Sequence, residues 1–176
     1  RDWLVLSPFA PPIDGTLSGN AKINFNEQYY WGDCCIRVDR MSYGKKLVGN
    51  LDFDAKLAMT DDATKTYALA DMELDGKEIM TLRGMKNDSL PTSEYNLDIA
   101  IKRLPLSRVS AFLPDGTGDM SGYLNGSMKV VGPEANPSIN GYLQFDTAQV
   151  RIQNYGSALT FDGRRIPVDN GRVRFD

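Results

Sequence analysis

The chain contains no histidine, and its only two cysteines, Cys34 and Cys35, are neighbours. Without histidine, neither a Ser/His/Asp nor a Cys/His arrangement for nucleophilic catalysis can be built. Neighbouring strand residues point to opposite faces, so one cysteine is read as a small buried side chain and the other as incidental. A vicinal disulfide would be strained, and a zinc site would need further ligands that the chain does not offer. Neither GxGxxG nor GxxxxGK[ST] occurs, so no phosphate-cradling loop is expected. No apolar run approaches the ~20 residues of a membrane-crossing helix. Lysine and arginine, 20 against 23 acidic residues, are scattered rather than striped, and the net charge is −3. The basic footprint of a nucleic-acid binder is therefore missing. No catalytic residue, metal or cofactor is expected, and nucleic acid is set aside as a partner.

What the chain has in abundance is alternation. From Gly15 to Asn26, Leu17, Gly19, Ala21, Ile23 and Phe25 share one face of an extended strand, and Thr16, Ser18, Asn20, Lys22 and Asn24 share the other. Leu51, Phe53, Ala55, Leu57 and Met59 repeat the pattern within Leu47–Thr60, as do Ala68, Ala70, Met72 and Leu74 within Tyr67–Leu74. Leu97, Ile99 and Ile101 follow, then Leu124, Gly126, Met128 and Val130. After a Gly-Pro turn, Ile139, Gly141, Leu143 and Phe145 resume it, and further strands are read with Val150 and Ile152 and with Leu159 and Phe161. Asp75-Gly76, Asp162-Gly163 and Asn170-Gly171 supply the positive-φ positions of tight turns. The period changes only at Leu104–Pro114, read as one or two helical turns near 106–113 with Ser107 as N-cap and Pro114 as the stop. The fold class is all-β: a meander of roughly ten to twelve short strands, for which sandwich, barrel and open curved sheet all remain possible.

Polar candidates have plain explanations. Asp52 and Asp54 are the outward positions of an alternating strand, and Asp61-Asp62 sit in a turn, where aspartate is favoured. Lys45-Lys46 and Arg164-Arg165 are read as turn and edge charges that discourage edge pairing. Tyr29-Tyr30-Trp31 could stack on a sugar ring but is read as a packed edge. Gly15–Ile23 aligns with Gly122–Val130 at a constant offset of 107, and upstream Phe9-Ala10-Pro11 matches Phe112-Leu113-Pro114 once a few inserted residues are allowed. Residues 9–25 thus repeat as 112–131, a mark of architectures that grow by stacking. The chain is read as a single segment, 1–176. It lacks an initiator methionine and ends on the alternating Val173-Arg174-Phe175, so it is expected to be a fragment of a longer protein.

Several stretches together resemble a known family. They are Leu104–Pro114 (LPLSRVSAFLP), Met120–Gly132 (MSGYLNGSMKVVG), Pro137–Leu143 (PSINGYL), Ala148-Gln149-Val150, Leu159–Ile166 (LTFDGRRI) and Asn170–Asp176 (NGRVRFD). This pattern is similar to the C-terminal region of the TamB family, the translocation and assembly module proteins with AsmA-like and bridge-like lipid-transfer relatives. The match runs from about Leu104 to Asp176; in residues 1–103 only the Gly15–Phe25 unit carries it. The resemblance implies a periplasmic segment of an inner-membrane-anchored protein, with strands curled into a taco-like groove or open barrel around an apolar interior. It implies an Omp85-family (TamA-like) outer-membrane barrel as partner, and a part in lipid transport or outer-membrane biogenesis. It carries over no catalytic residue.

The expected lining of that groove is Leu17, Ala21, Ile23, Phe25, Leu51, Phe53, Leu57, Met59, Leu97, Ile99, Ile101, Leu124, Met128, Val130, Leu143, Phe145, Val150, Ile152 and Phe161. The leading expectation is a non-enzymatic conduit shielding apolar cargo such as phospholipid acyl chains, with Gly126 and Gly141 holding space open. The alternatives are templating of nascent outer-membrane proteins at exposed strand edges, and a secreted carbohydrate-binding sandwich whose apolar residues are sealed between two sheets.

Overall fold

A computed structural model describes residues 13–25, 30–60, 62–89, 91–113, 119–152 and 157–173. Phe9, Tyr29, Asp61, Pro114 and Phe175, with the readings placed on them, lie outside the described residues. Among the described residues eleven strands form: β1 (Ile13–Phe25), β2 (Tyr30–Tyr43), β3 (Lys46–Met59), β4 (Lys65–Leu74), β5 (Lys77–Asn87), β6 (Glu94–Pro105), β7 (Asp119–Pro133), β8 (Ser138–Ile152), β9 (Ser157–Thr160), β10 (Arg165–Asp169) and β11 (Arg172–Val173). Each pairs antiparallel with the next from β1 to β8; β8 then pairs with both β9 and β10, and β10 with β11. The result is an all-β meander in one open sheet, with no second sheet among the described residues. A sealed sandwich is therefore not the architecture.

Asp75-Gly76 (φ 52° and 74°) and Asn170-Gly171 (φ 48° and 75°) are the turns of the β4–β5 and β10–β11 hairpins. Asp162-Gly163 does not reverse the chain. Ser157–Thr160 pairs with Ile152–Gln149 and Arg165–Val168 with Gln144–Gly141, so one register runs through both. The four residues Phe161–Arg164 are a lifted stretch within one interrupted strand, anchored where Phe161 N donates to Ala148 O at 3.0 Å.

Two strands read separately in the sequence are likewise one. β8 runs unbroken through Ser138–Ile152, but Thr147 takes φ 49° and the register slips beside it. A bulge inserts one residue and so shifts which parity faces which side. That is why Leu143 and Phe145 point with Ala148 and Val150. Similar slips occur at Asp14/Thr16, Val38/Met41, Met72/Glu73 and Ile101/Leu104. All lie toward the same ends of the strands and form a line across the sheet. Bulged strands bend, so this line creases the sheet into a trough whose axis crosses the strands. Arg40 (φ 51°) and Arg103 (φ 43°) occupy two of these bulges. Their freed amides donate to Asn50 Oδ1 and Asn125 Oδ1, each at 2.9 Å.

The repeat-related residues stand at matching heights. Leu17 pairs with Val38 and Ala21 with Cys34; 107 residues on, Leu124 pairs with Phe145 and Met128 with Gly141. The β1–β2 and β7–β8 hairpins thus share one register, bulge included.

The β6–β7 connection is helical. Its helix, α1, covers Leu106–Val109, and a 3-10 turn at Ser110–Phe112 continues it. Ser107 is not the N-cap. Pro105, held extended at φ −68° and ψ 118°, precedes the helix, and no side chain caps it. The segment lies on the apolar face near the line of bulges. Ala111 packs with Val48, Leu74 and Ile79, flanked by Met41, Tyr43, Leu51, Met72 and Leu104. Arg108 fastens the segment by donating to Leu47 O and Asp75 Oδ2, both at 3.3 Å, and the Tyr43 and Phe112 rings meet at 5.1 Å.

Candidate functional site

Directly paired residues of neighbouring strands point to the same face, so the registers assemble transverse rungs. One rung reads Gly19, Ile36, Phe53, Met72, Met80, Ile101, Gly126, Leu143 and Ile166. The next reads Ala21, Cys34, Ala55, Ala70, Leu82, Ile99, Met128, Gly141 and Val168. A third reads Ile23, Gly32, Leu57, Ala68, Gly84, Leu97, Val130 and Ile139. Every position on the three is apolar or glycine. With strands ~4.8 Å apart, a nine-strand rung is about 38 Å long.

The remaining expected lining residues extend these rungs. Leu17 and Leu51 share a rung with Val38 and Leu74, of which Leu51 and Leu74 lie in the cluster with Ala111 of the helical segment. Leu124 pairs with Leu104 and Phe145, and Phe145 stacks on Phe161 with centroids 4.6 Å apart. Val150 pairs with Met120 and Leu159. Phe25 pairs with Tyr30, and Met59 with Thr66, at the opposite ends of the strands. Ile152 of β8 pairs with Ser157 of β9, but its side chain lies outside the described residues.

This apolar face is uncovered over much of its area. Leu17 is 71% exposed, Ile23 69%, Phe25 80% and Leu57 47%. In a two-layer core such side chains would be sealed, since sheets pack ~10 Å apart with interdigitated inner faces. The opposite face carries the charge: Arg37–Asp52 at 2.5 Å, Arg83–Asp71 and Lys129–Asp98 at 3.8 Å, and Lys102–Glu78. These exposed pairs contribute little stability and mainly define the wet side. Depressions of about 380 and 300 Å³ also lie on that polar side, around Tyr67, Leu69, Met85, Asp98 and Lys129 and around Asp54, Lys56, Asp71 and Arg83. The apolar face is an open trough, not an enclosed pocket.

The trough has a polar lip. One rung beyond Gly84 and Leu97, Lys86 pairs with Tyr95. Lys86 Nζ lies 3.1 Å from Glu134 Oε2 and 3.3 Å from Asp88 Oδ1, and Tyr95 OH donates to Glu134 Oε1 at 2.9 Å. Hydrogen bonds from Tyr95 and Lys86 hold the Glu134 carboxyl below its usual range, and the carboxylates raise Lys86. Hydrogen bonding to Glu134 raises the Tyr95 phenol.

The glycines do not hold space open in the trough. At Gly126 a Cβ would meet Leu143 Cδ2 at 2.9 Å, because neighbouring side chains already fill the site. At Gly141 (φ 158°) it would meet the Ser127 carbonyl oxygen at 2.0 Å and Met128 Cα at 2.7 Å. The glycine there permits close approach of β7 and β8. We expect Gly141→Ala to cost about 2 kcal/mol or more, because only backbone movement relieves the clash. Gly126→Ala should stay within about 1 kcal/mol, since Leu143 can shift rotamer. Urea unfolding midpoints of the two variants check the ranking.

Tyr30 and Trp31 are consecutive residues of β2 and point to opposite faces, so they do not form one stacking platform. Sequence reading missed Ile36, Val38, Met80, Leu82, Ile139, Ile166 and Val168 as trough residues; strand pairing adds them. Their signal was the same alternation, blurred by bulges and by short strands. Among the described residues no three His, Cys, Asp or Glu side chains are placed to hold a metal, and no helix is long and apolar enough to cross a membrane. Compared with protein-family models, characterised proteins and solved structures, the chain matches none.

Proposed function

We propose that the chain is a non-enzymatic carrier surface on which apolar cargo, the acyl chains of phospholipid, is shielded from water along the trough. The observation that supports this is the set of three uninterrupted apolar rungs, each crossing eight or nine strands opposite a charged face, buried at Val130 and Val168 and left most exposed along β1–β3. Apolar surface removed from water contributes about 25 cal/mol per Å², and no polar group interrupts the rungs, so a bound chain can slide. On this reading the setting is the one the resemblance implies: a periplasmic stretch of an inner-membrane-anchored protein that delivers cargo toward an Omp85-family barrel.

A second reading has its own support. β1 is a thirteen-residue edge strand, hydrogen-bonded only to β2 among the described residues. Such an edge can template an incoming strand of a nascent outer-membrane protein by β-augmentation. Photo-crosslinking residues placed at Ala70 in the trough and Asn20 on β1 separate the two. Lipid adducts at Ala70 support the carrier; protein adducts at Asn20 with no lipid at Ala70 support templating and overturn it.

A further inference from the structure

The apolar rungs end differently along their length. Beside β1–β3 the last rung is apolar, with Phe25, Tyr30 and Met59. Beside β5–β7 it becomes the Lys86–Tyr95 pair, joined by Glu134 from the β7–β8 turn and by Asp88, with Ser93 hydrogen-bonded to Asp88. We infer that this lip is a headgroup site, at which a zwitterionic phospholipid carrying a primary ammonium docks its polar head while an acyl chain runs down the apolar face. The inference rests on the apolar-cargo reading and adds the head to it.

Three features of the lip carry it. First, both signs of charge are present at fixed positions. Lys86 and the Tyr95 hydroxyl can donate to a phosphate, and Glu134 and Asp88 can accept from an ammonium a few ångströms away. Second, the groups are accessible: the side chains of Lys86, Asp88 and Glu134 are 30%, 33% and 50% exposed. Third, two carboxylates face one ammonium, so an anionic head without a cation of its own meets net repulsion. The lip also sits at a usable distance from the floor. From Lys86 back to Met80, at the margin of the helical segment, β5 runs six residues, about 20 Å at ~3.4 Å per residue. One leaflet of hydrocarbon is about 15 Å deep, so a single acyl chain fits between lip and helix.

The test uses the whole chain and three probes with the same acyl chain: a lysophospholipid with a phosphoethanolamine head, one with a phosphoglycerol head, and the uncharged alkane. The ethanolamine lipid should bind about 10-fold more tightly than the glycerol lipid, one or two charge-assisted hydrogen bonds' worth. In Glu134→Gln, which removes an acceptor of the ammonium, the ratio should fall below about 2-fold; Lys86→Met, which removes a donor to the phosphate that both heads carry, should weaken both lipids without lowering the ratio, and alkane binding should be unchanged in each. Equal binding of the two lipids by the native chain, a preference that survives Glu134→Gln, or lipid binding unchanged by Lys86→Met overturns the headgroup site and leaves the carrier reading standing. Failure of all three probes to bind overturns the carrier reading itself.

Discussion

Leu57→Asp should weaken binding of an acyl chain by more than about 10-fold while the protein stays folded. Leu57 sits mid-rung between Gly32 and Ala68, and 47% of it is exposed, so a carboxylate there remains hydrated in the empty trough. Once an acyl chain covers it, that carboxylate must shed water against hydrocarbon with no partner, a cost of several kcal/mol. Leu69 is the matched control. It lies on the neighbouring strand β4, is 45% exposed and pairs with Lys56 on the charged face. Leu69→Asp should leave acyl binding unchanged. Titration with a fluorescent fatty-acyl probe, alongside circular dichroism of each variant, reads both quantities. Equal loss in the two variants would mean that the apolar face has no special claim on the ligand.

The largest stability effect is expected at the helical segment. Leu106 is only 2% exposed and is the bulkiest fully buried side chain among the described residues. An open single sheet buries few residues, so a side chain as fully buried as Leu106 weighs heavily in its stability. Leu106→Ala should cost about 3 kcal/mol, from lost transfer free energy and an unfilled cavity. For a chain of this length that lowers Tm by roughly 6–12 °C. Phe112→Ala, at a residue 44% exposed, should cost well under half as much. Calorimetry of the two variants checks the ratio. A small effect at Leu106 would mean that the segment rests on the sheet without holding it.

The strands and hairpins were legible because one signal, alternation, recurs with little interference. Leu51 through Met59 in β3 and Leu97 through Ile101 in β6 fall on the face their parity predicts. The bulges were not legible. Arg40, Arg103 and Thr147 adopt positive φ without being glycine, and tertiary strain rather than local preference places them there. Each bulge reverses parity, so one strand, Ser138–Ile152, reads as two. The Asp162-Gly163 pair misled for the converse reason: it has turn chemistry, but β8 holds both flanking segments in register. The polar lip was hidden because Lys86 and Glu134 are 48 positions apart in the chain and meet only through the β5–β6–β7 pairing.

An acyl chain should lie on the apolar face and not on the charged one. Methyl NMR with a spin-labelled acyl chain tests it most directly, because the sheet presents methyl groups on both sides. Relaxation enhancement is predicted at Leu57, Ala68, Ala70, Leu82, Leu97 and Ile99, which share the apolar rungs, with Leu69, Met85 and Val131 on the charged side unaffected. Enhancement at Leu69, Met85 and Val131 with none on the apolar rungs would contradict the account.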